Sequence, residues 1–339
     1  MTEVTLIAMD TSKHVFTLHG VDAQGKTVVQ RELRRNQVAE FFRKLPPTEV
    51  ALEACGGSHH WGRTLAALGH VVRLLPPQYV KPFVKRGKND RNDAQAIAEA
   101  ARRPDIKPVP VKSAEAQADA MILSVRELLV KQRTQLVNAL RGHAAEFGLI
   151  APKGRQKAET LLERVAAEPA VPPAAQAMFA ELGAAIATVH ARVVELERKL
   201  TRQHRANPLS RQLAEAPGIG PITALTALTV VDPHSFHSSR HFAAWLGIPP
   251  KEHSTGGRQR MGGMSRQGNE RLRRLLVQGA TSIVKVVKPG HRYASPWLLG
   301  LLARKPRKVV AVALANKMAR VLWAMMVSGE AYRPMPAAG

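Results

Sequence analysis

The stretch Val4-Thr-Leu-Ile-Ala-Met-Asp10 decides how the first third of the chain folds. An apolar run of this length that ends at a polar residue is typical of a buried strand. Two further strand-like runs, Val15–Val21 and residues 26–33, flank the turn Asp22-Ala-Gln-Gly25. This arrangement is typical of a β-hairpin, so we expect three neighbouring strands in this part of the chain.

Strand and helix patterns alternate after the hairpin up to about residue 110. A short amphipathic helix over residues 36–45 precedes a strand at Glu49–Glu53, and a second helix precedes a strand at Val71–Leu75. A third helix is expected over residues 91–102, followed by a short strand at residues 109–111. This order predicts an α/β domain in which helices pack on a mixed sheet.

The middle of the chain predicts two long helices whose apolar residues recur at alternating spacings of three and four. The positions are Ala118, Ile122, Val125, Leu129, Gln132, Leu136 and Ala139 on the first helix, and Ala175, Phe179, Leu182, Ile186, Val189, Val193, Leu196 and Leu200 on the second. Sustained periodicity of this kind is the coiled-coil pattern. It leaves two arrangements open, a helical hairpin within one chain and a dimerisation arm.

The composition is strongly basic and points to a polyanionic partner. The 339 residues include 50 Lys and Arg against 26 Asp and Glu, which gives a net charge of +24. Nucleic acid is the usual partner of such a chain, and an anionic membrane surface is the weaker alternative. Hydrophobic residues make up 45%, so a disordered basic tail is excluded. The aromatic content of 4% argues against single-strand binding that depends mainly on base stacking.

A single cysteine and one apolar stretch exclude further classes of protein. Cys55 alone provides neither a disulfide framework nor a cysteine-based zinc site, and we expect it to be a small buried residue. One cysteine also fits a reducing compartment. Residues 309–327 are apolar but contain Asn316, Lys317 and Arg320, so we expect a buried or DNA-facing helix and no membrane span.

Four acids stand at the ends of predicted elements in the first domain. Asp10 and Glu53 follow apolar strands, and Asp90 and Asp93 lie three residues apart at a helix start, which puts them on one helix face. Carboxylate oxygens suit hard cations such as Mg²⁺, which in pairs stabilise both oxygens of a phosphodiester displacement. Each acid alone is also compatible with a turn or a helix N-cap. Four of them in so basic a chain favour a metal site.

The last third, from about Asn207, carries 19 Lys and Arg against 5 Asp and Glu, more than half of the net charge. Pro217-Gly-Ile-Gly220 lies between two predicted helices, and Gly218 and Gly220 let backbone N–H groups approach an anion at the start of the next helix. This helix–hairpin–helix pattern is typical of proteins that bind the DNA backbone. The alternative is a turn that only packs two helices.

A loop rich in glycine and arginine follows and is typical of phosphate binding. Ser254-Thr-Gly-Gly257 begins this loop, and its two hydroxyls are candidates for a phosphate ligand or for a nucleophile. The candidate nucleic-acid contacts of the last third are Gly218, Gly220, Thr255, Gly256, Arg258, Arg260, Arg266, Arg271, Arg273 and Arg274.

Motifs along nearly the whole chain resemble the DEDD transposases of the insertion-sequence family "one-ten". Asp10, Glu53, Asp90 and Asp93 resemble the four acids of that family. Its C-terminal transposase domain is matched by Pro217-Gly-Ile-Gly-Pro221, Trp245-Leu-Gly-Ile-Pro-Pro250, His253-Ser-Thr-Gly-Gly257, Met264-Ser-Arg-Gln-Gly-Asn269 and Leu272-Arg-Arg-Leu-Leu276. The Ser-Thr-Gly-Gly version resembles the "eleven-eleven" group of the family.

The resemblance implies three regions. These are a RuvC-like, RNase H-like domain over residues 1–112, a helical coiled-coil oligomerisation region over residues 113–206 and a mainly helical transposase domain over residues 207–332. It also implies Mg²⁺ or Mn²⁺ held by the four acids and a serine that forms a covalent phosphoserine link to DNA. In the family, acids and serine meet in a composite site between subunits.

The resemblance further implies the partners and the compartment of the protein. The partners are DNA at the element ends and at the target, and a structured bridge RNA that guides recombination. A homo-oligomer, dimer or tetramer, is expected, with no membrane partner. The expected location is the bacterial cytoplasm, in association with the nucleoid.

Two choices within the predicted chemistry stay open on the residues alone. Alignment with relatives whose serine stands directly before a single glycine selects Thr255, whereas the recurring serine of the Ser-Thr-Gly-Gly group matches Ser254. We assign the nucleophile to Ser254, and the extra methyl group beside the hydroxyl of Thr255 agrees with this choice. A metal-dependent junction resolvase would instead use the acids with water as nucleophile and would leave no covalent intermediate. An architectural DNA- or RNA-binding protein, in which the acids are structural, is the third hypothesis.

Overall fold

The computed structural model describes residues 3–87 and 89–333. The chain divides into two compact units, Met1–Gln117 and Ala118–Gly339.

A five-stranded mixed sheet forms the centre of the first unit, as the sequence predicts. Its strands are β1 (Leu6–Asp10), β2 (Val15–Val21), β3 (Thr27–Arg34), β4 (Glu49–Glu53) and β5 (Val71–Leu75), in the order β3-β2-β1-β4-β5. β1, β2 and β3 pair antiparallel, whereas β1, β4 and β5 pair parallel. Met9 lies opposite Leu52, so β1 and β4 end side by side at one edge of the sheet.

Helices cover both faces of this sheet. They are α1 (Val38–Arg43), α2 (Ser58–Ala67), α3 (Pro77–Val80) and α4 (Asp90–Ala101), with 3₁₀ turns at Arg35–Gln37 and Lys81–Phe83. α4 buries Ala94, Ile97, Ala98 and Ala101, which lie on one stripe at helical spacing. Because most of these side chains are alanines, the helix lies close to β1 and β2 and its first turn reaches the end of β1.

Two local predictions for the first unit are corrected by the structure, and one short helix is added to them. No strand forms at residues 109–111, where the N–H of Val109 donates to the carbonyl of Leu74 in a single bridge. Pro110 has no N–H, so the ladder cannot continue. The helix α3 starts at Pro77, a position that proline favours but that the apolar pattern does not reveal. Cys55 is exposed, not buried, and its Sγ lies 3.2 Å from Oγ1 of Thr11.

The second unit is almost entirely helical. Its helices are α5 (Ala114–Glu146, which begins in the first unit), α6 (Arg155–Ala167), α7 (Pro173–Ala206), α8 (Pro208–Leu213), α9 (Pro221–Val230), α10 (Ser239–Trp245), α11 (Glu270–Val286), α12 (Pro296–Arg304) and α13 (Arg307–Ser328). A two-stranded antiparallel ribbon, β6 (Pro250–Glu252) and β7 (Met261–Met264), lies between α10 and α11.

The two long helices α5 and α7 contact each other within the chain and run antiparallel. Arg126 pairs with Glu197, and Nη1 of Arg133 lies 2.9 Å from Nδ1 of His190. A step of seven residues forward on α5 therefore matches a step of seven backward on α7. These are the contacts of a helical hairpin; the coiled-coil geometry and a role in dimerisation stay predictions.

The buried positions of the two helices match the predicted heptads unequally. On α7 the buried residues Phe179, Ile186, Val193 and Leu200 recur every seven residues, and all belong to the predicted set. On α5 the buried residues are Leu123, Val137, Leu140 and Ala144, none of which belongs to the predicted set. Arg126 and Arg133 lie on this buried stripe of α5 and interrupt its apolar pattern. The prediction from apolar spacing therefore selected the neighbouring stripe of the helix.

Two helices, α7 and α13, are long and apolar enough to cross a membrane by length and composition alone. Half of the most apolar window of α13 is buried inside the protein. Val310, Leu314, Met318 and Leu322 of α13 belong to the main core of the second unit, where they pack with residues of α10 and α11. Two such helices are weak evidence for a membrane protein. The buried helix expected at residues 309–327 corresponds to α13.

Candidate metal centre and glycine-rich loop

Three of the four predicted metal ligands are brought together at the edge where β1 ends. Asp10 is the last residue of β1, and Asp90 and Asp93 lie in the first turn of α4. One carboxylate oxygen from each of the three lies within 4.8 Å of the others. Glu53 ends the neighbouring strand β4 and is outside this group, but its charge acts on Asp10.

The N-cap of α4 removes one alternative for the helix-borne acids. The side chain of Asn89 accepts a hydrogen bond of 2.8 Å from the N–H of Asn92. The cap is therefore Asn89, and neither Asp90 nor Asp93 is needed for that purpose.

The electrostatics of the cluster are those of carboxylates without a compensating cation. Burial raises the pKa of Asp10 to about 6, and repulsion from Asp93 and Asp90 adds to the effect. Burial, with repulsion from Asp93, also raises the pKa of Glu53. Within residues 3–87 and 89–333, the salt bridges found involve none of the four acids.

The donor set fits a hard divalent cation. All ligands are carboxylate oxygens, and like-charged carboxylates at this spacing repel unless a cation lies between them. Opposite ligands of Mg²⁺ lie about 4 Å apart, because each bond is roughly 2.0–2.1 Å long. The oxygens of Asp10, Asp90 and Asp93 lie within 4.8 Å of one another, so they converge on one space and would draw closer to hold an ion there.

The hydroxyl of Ser254 is held in a defined position on the glycine-rich loop. Its Oγ donates to Oε1 of Glu252 at 2.7 Å and accepts from the backbone N–H of Arg260 at 3.2 Å. Ser254 is exposed, so the hydroxyl is open to a large substrate. Glu252 was not among the predicted site residues. The signal for it was present, since residues two apart in an extended strand point to the same side.

Thr255 has a different role in the same loop. Its backbone N–H donates to the carbonyl of Arg258 at 3.3 Å, and the N–H of Arg258 donates back at 3.0 Å. Gly256 and Gly257 complete this tight turn with φ angles of 55° and 76°, which strongly favour glycine. Thr255 therefore opens the turn through its backbone, and Ser254 is the residue whose hydroxyl is positioned.

The six candidate arginines fall into two groups. Arg258, Arg260 and Arg266 are exposed on the loop and available to phosphate. Arg266 is also the only non-glycine residue in the described part of the chain with a positive φ, 58°. Positive φ in a non-glycine residue costs conformational energy, so the surrounding loop imposes it.

The other three arginines are engaged inside the second unit. Nη1 of Arg273 donates to the carbonyl of Leu246 at 2.8 Å and to that of Gln267, and its side chain is buried. We therefore correct its predicted role from nucleic-acid contact to support of the loop. Arg271 and Arg274 pair with Glu127 of α5, at 2.6 and 2.7 Å. Either would have to leave Glu127 to bind phosphate.

Replacing Glu127 with glutamine should destabilise the protein by roughly 1–2 kcal/mol at pH 7, after allowance for solvent screening. Burial raises the pKa of Glu127, but hydrogen bonds from Arg271, Arg274 and Lys131 outweigh it and lower the pKa to about 2. A lowered pKa stabilises the fold above the unfolded value of 4.5, and this contribution is lost as the pH falls toward 2. The free energies of unfolding of wild type and Glu127→Gln, measured with denaturant, should therefore differ at pH 7 and become equal in acid.

Glu195 provides the matched control for that substitution. It pairs with Arg192 and Lys199 on the exposed surface of α7, where solvent screens the charges. Glu195→Gln should change stability little at any pH. An equal loss of stability in both variants would show that the ion pairs between α5 and α11 stabilise the fold no more than an exposed surface pair does.

The two glycines of the predicted DNA-binding turn differ in their surroundings. Gly218 has a φ of 79°, and a Cβ placed there would lie 2.7 Å from Cε of Met318. Its carbonyl oxygen would lie 2.0 Å from a Cβ on Gly279 of α11. Helix packing therefore explains Gly218. Gly220, the N-cap of α9, has open space around it and remains available to an anion.

Comparison with known proteins gives matches over both units. Residues 7–147 match the family model of IS110 DEDD transposases, and residues 210–294 match that of the transposase IS116/IS110/IS902 family. A Sinorhizobium fredii protein named "Putative transposase y4pF/y4sB" is 51% identical over 98% of this chain and 86% of its own length.

Two further relatives match at nearly full length. The "Probable family 20 transposase" of Pseudomonas aeruginosa is 48% identical over 97% of this chain and 98% of its own length. The "Transposase for insertion sequence element IS1111A" of Coxiella burnetii is 37% identical over 98% and 92%.

Proposed function

Because the chain belongs to the IS116/IS110/IS902 family of transposases, we propose that it cuts and rejoins DNA at the ends of an insertion sequence with Ser254 as nucleophile. The resemblance to the "one-ten" family and its "eleven-eleven" group is thereby confirmed, and DNA is the partner on which the enzyme acts. The observation that carries the chemical proposal is the exposed Oγ of Ser254, held 2.7 Å from the carboxylate of Glu252.

In the proposed step, Oγ of Ser254 attacks the phosphorus of the scissile phosphodiester. Its proton passes to the carboxylate of Glu252, which already accepts its hydrogen bond. The P–O bond to the departing DNA oxygen breaks, and that oxygen takes up a proton from water. The phosphoserine ester conserves the energy of the broken bond, so a second DNA hydroxyl can displace Ser254 without ATP.

The acidic cluster of the first unit is proposed to hold Mg²⁺, with Mn²⁺ as a substitute. Asp10, Asp90 and Asp93 supply the converging oxygens, and Glu53 adds negative charge beside them. The bound ion would stabilise negative charge on the phosphate oxygens in the transition state. Arg258, Arg260 and Arg266 are proposed to hold neighbouring phosphates, since they are exposed on the loop that carries Ser254.

The finer architecture is part of the same proposal. The order of three antiparallel strands followed by two parallel ones supports a RuvC-like, RNase H-like domain over residues 1–112. Residues 113–206 would form the coiled-coil region and residues 207–332 the transposase domain. Comparison of an experimental structure of the first unit with RNase H-like proteins tests the first assignment, and sedimentation tests the proposed dimer or tetramer.

A structured bridge RNA is proposed as the guide, because the family resemblance implies one and the net charge of +24 suits a polyanionic partner. RNA retained by the purified protein should be a discrete species transcribed from beside the gene. Bulk ribosomal RNA would indicate only electrostatic binding.

The products of DNA cleavage test the proposed chemistry against a junction resolvase. The resolvase remains the second candidate, because the acidic cluster is complete within the first unit and does not include the serine. Wild-type protein incubated with an element end whose scissile phosphodiester is intact should yield protein-linked DNA. After nuclease and protease digestion, mass spectrometry should find a nucleotide on Ser254. Free 5′-phosphate ends with unmodified peptide would support the resolvase, and a nucleotide on Thr255 would move the nucleophile.

A further inference from the structure

A cavity of about 310 Å³ in the second unit plays no part in the chemistry above. Its wall includes the aromatic residues Tyr293, Trp297 and Tyr332, the cations Arg292 and Lys317, and the acid Glu215. A binding site of this size lies at the lower end of the range for small ligands, which suits one nucleotide base.

The aromatic lining is unusual for this chain. The sequence contains only 3 tyrosines and 4 tryptophans, and two of those tyrosines and one tryptophan line this cavity. Trp297 is 38% exposed, so its ring is not simply part of the core. Exposed aromatic rings beside a cavity provide a surface on which a planar ligand stacks.

Two cations are fixed against these rings. Cζ of Arg292 lies 4.6 Å from the ring centroid of Tyr293, and Nζ of Lys317 lies 4.7 Å from that of Trp297. Such contacts orient both the ring and the charge. The cavity therefore combines stacking surfaces with positive charge. A base with its phosphate requires both, whereas an uncharged apolar ligand requires no positive charge.

A polar group without a partner lies in the neighbouring cavity. That cavity shares Trp297, Lys317 and Val321 with the first and is also lined by Asn316. Oδ1 of Asn316 is buried and makes no hydrogen bond within the described part of the chain. A buried carbonyl oxygen left unpaired is costly, and the amino group of a base is a donor that would satisfy it once the Asn316 side chain turns toward the shared wall of the two cavities.

The position of the cavity connects it to the proposed DNA contact. Pro217 and Ile219 line it, and they belong to the turn that leads to Gly220 at the start of α9. A strand whose backbone is bound at Gly220 would pass close to the cavity.

We propose that this cavity binds one unstacked nucleobase of the nucleic acid held by the second unit, with the base against Trp297 and its phosphate near Arg292 and Lys317. The inference rests on the proposed binding of nucleic acid by this unit. It adds to that function a site for a base extruded from the duplex. Removing a base from the stack costs a few kcal/mol, which stacking in the cavity would offset.

The test compares two duplexes that differ in a single base. One carries an unpaired adenine bulge and the other an abasic residue at the same place, and each is made in DNA and in RNA. Full-length wild-type protein at fixed salt should bind the adenine bulge up to about 150-fold more tightly, because stacking of one base contributes roughly 1–3 kcal/mol and an unpaired base has the smallest unstacking cost. If only the DNA duplexes show this ratio, the base comes from DNA; if only the RNA duplexes show it, the base comes from RNA.

Variants of Trp297 locate the effect. Trp297→Leu should reduce the ratio between adenine and abasic bulges to about one, with affinity for the abasic duplex unchanged, whereas Trp297→Phe should keep most of it. The exposed Tyr79 of the first unit is the matched control, and Tyr79→Leu should leave the ratio intact.

The possible failures have different meanings. Equal binding of adenine and abasic bulges by wild-type protein overturns the proposed site and leaves duplex binding untouched. An unchanged ratio in folded Trp297→Leu protein also overturns it. Failure to bind any duplex would refute the DNA contact of the second unit, and the base site with it.

Discussion

Ser254→Ala should abolish cleavage, rejoining and the covalent protein–DNA link together. The substitution removes only Oγ, the atom proposed to attack phosphorus, and loss of a nucleophile costs on the order of 10⁴-fold or more in rate. DNA binding should change little, since the exposed arginines of the loop remain. Strand cleavage of a labelled element end, run beside a binding titration, measures both quantities.

Thr255→Val is the matched control for that experiment. It removes the neighbouring hydroxyl at nearly constant size, and the bonds that close the turn come from the backbone of Thr255. Activity within a few-fold of wild type is therefore expected. An inactive Thr255→Val protein beside an active Ser254→Ala protein would transfer the nucleophile to Thr255. Full activity in both would leave only the water-dependent resolvase.

Glu252→Gln separates the geometry of the loop from proton transfer. The glutamine oxygen can still accept the hydrogen bond from Oγ of Ser254, but it cannot take up the proton. The covalent link should still form, about 10²- to 10⁴-fold more slowly, as expected for loss of a general base. A rate equal to wild type would show that the contact of 2.7 Å only holds the loop in shape.

The sheet and the acidic cluster were predictable because they depend on local patterns. The run that ends at Asp10, the hairpin turn and the strand at Glu49–Glu53 each carry their own signal. Parallel neighbours end at the same edge of a sheet, so Asp10 and Glu53 had to be close. The helix α4 then needed only its N-cap, Asn89, to begin where Asp90 and Asp93 meet β1.

Charged residues buried through distant partners could not be predicted in the same way. Arg126 occupies the contact stripe of α5 because Glu197, far along the chain, pairs with it. Arg273 looks like a surface cation in its own segment, but the carbonyl of Leu246 accepts its hydrogen bond in the interior. The spacing of apolar residues gives no information on pairs between an arginine and a distant acceptor. Whether such an arginine is buried depends on which helices pack together.

Asp10→Asn should eliminate metal-dependent activity and at the same time stabilise the metal-free protein at neutral pH. Burial, with repulsion from Asp93 and Asp90, raises the pKa of Asp10 to about 6 from an ordinary 3.8. A raised pKa means that the contribution of this group to stability is complete below about pH 4 and is lost as the pH rises through 6. Above pH 7 the ionised Asp10 is unfavourable, and asparagine removes that charge.

Thermal or denaturant unfolding without metal should show a gain of roughly 1–2 kcal/mol for Asp10→Asn at pH 8, after allowance for screening by solvent, and little gain at pH 4. Addition of Mg²⁺ should then stabilise wild type, because an ion that binds only the folded state shifts the equilibrium, and should leave the variant unaffected. The same Mg²⁺ effect on wild type should weaken below about pH 6, where protons compete for Asp10.

Asp105→Asn separates loss of a ligand from loss of a charge. Asp105 is an exposed acid of the same unit, so its substitution changes the net charge by the same amount and should alter neither stability nor the response to Mg²⁺. If Asp10→Asn lowered metal-free stability, the backbone hydrogen bond from Thr11 to the Asp10 carboxylate would outweigh the repulsion, and Asp10 would be a structural acid. If the variant kept the wild-type response to Mg²⁺, the ion would have to bind without Asp10, and the proposed metal site would be wrong.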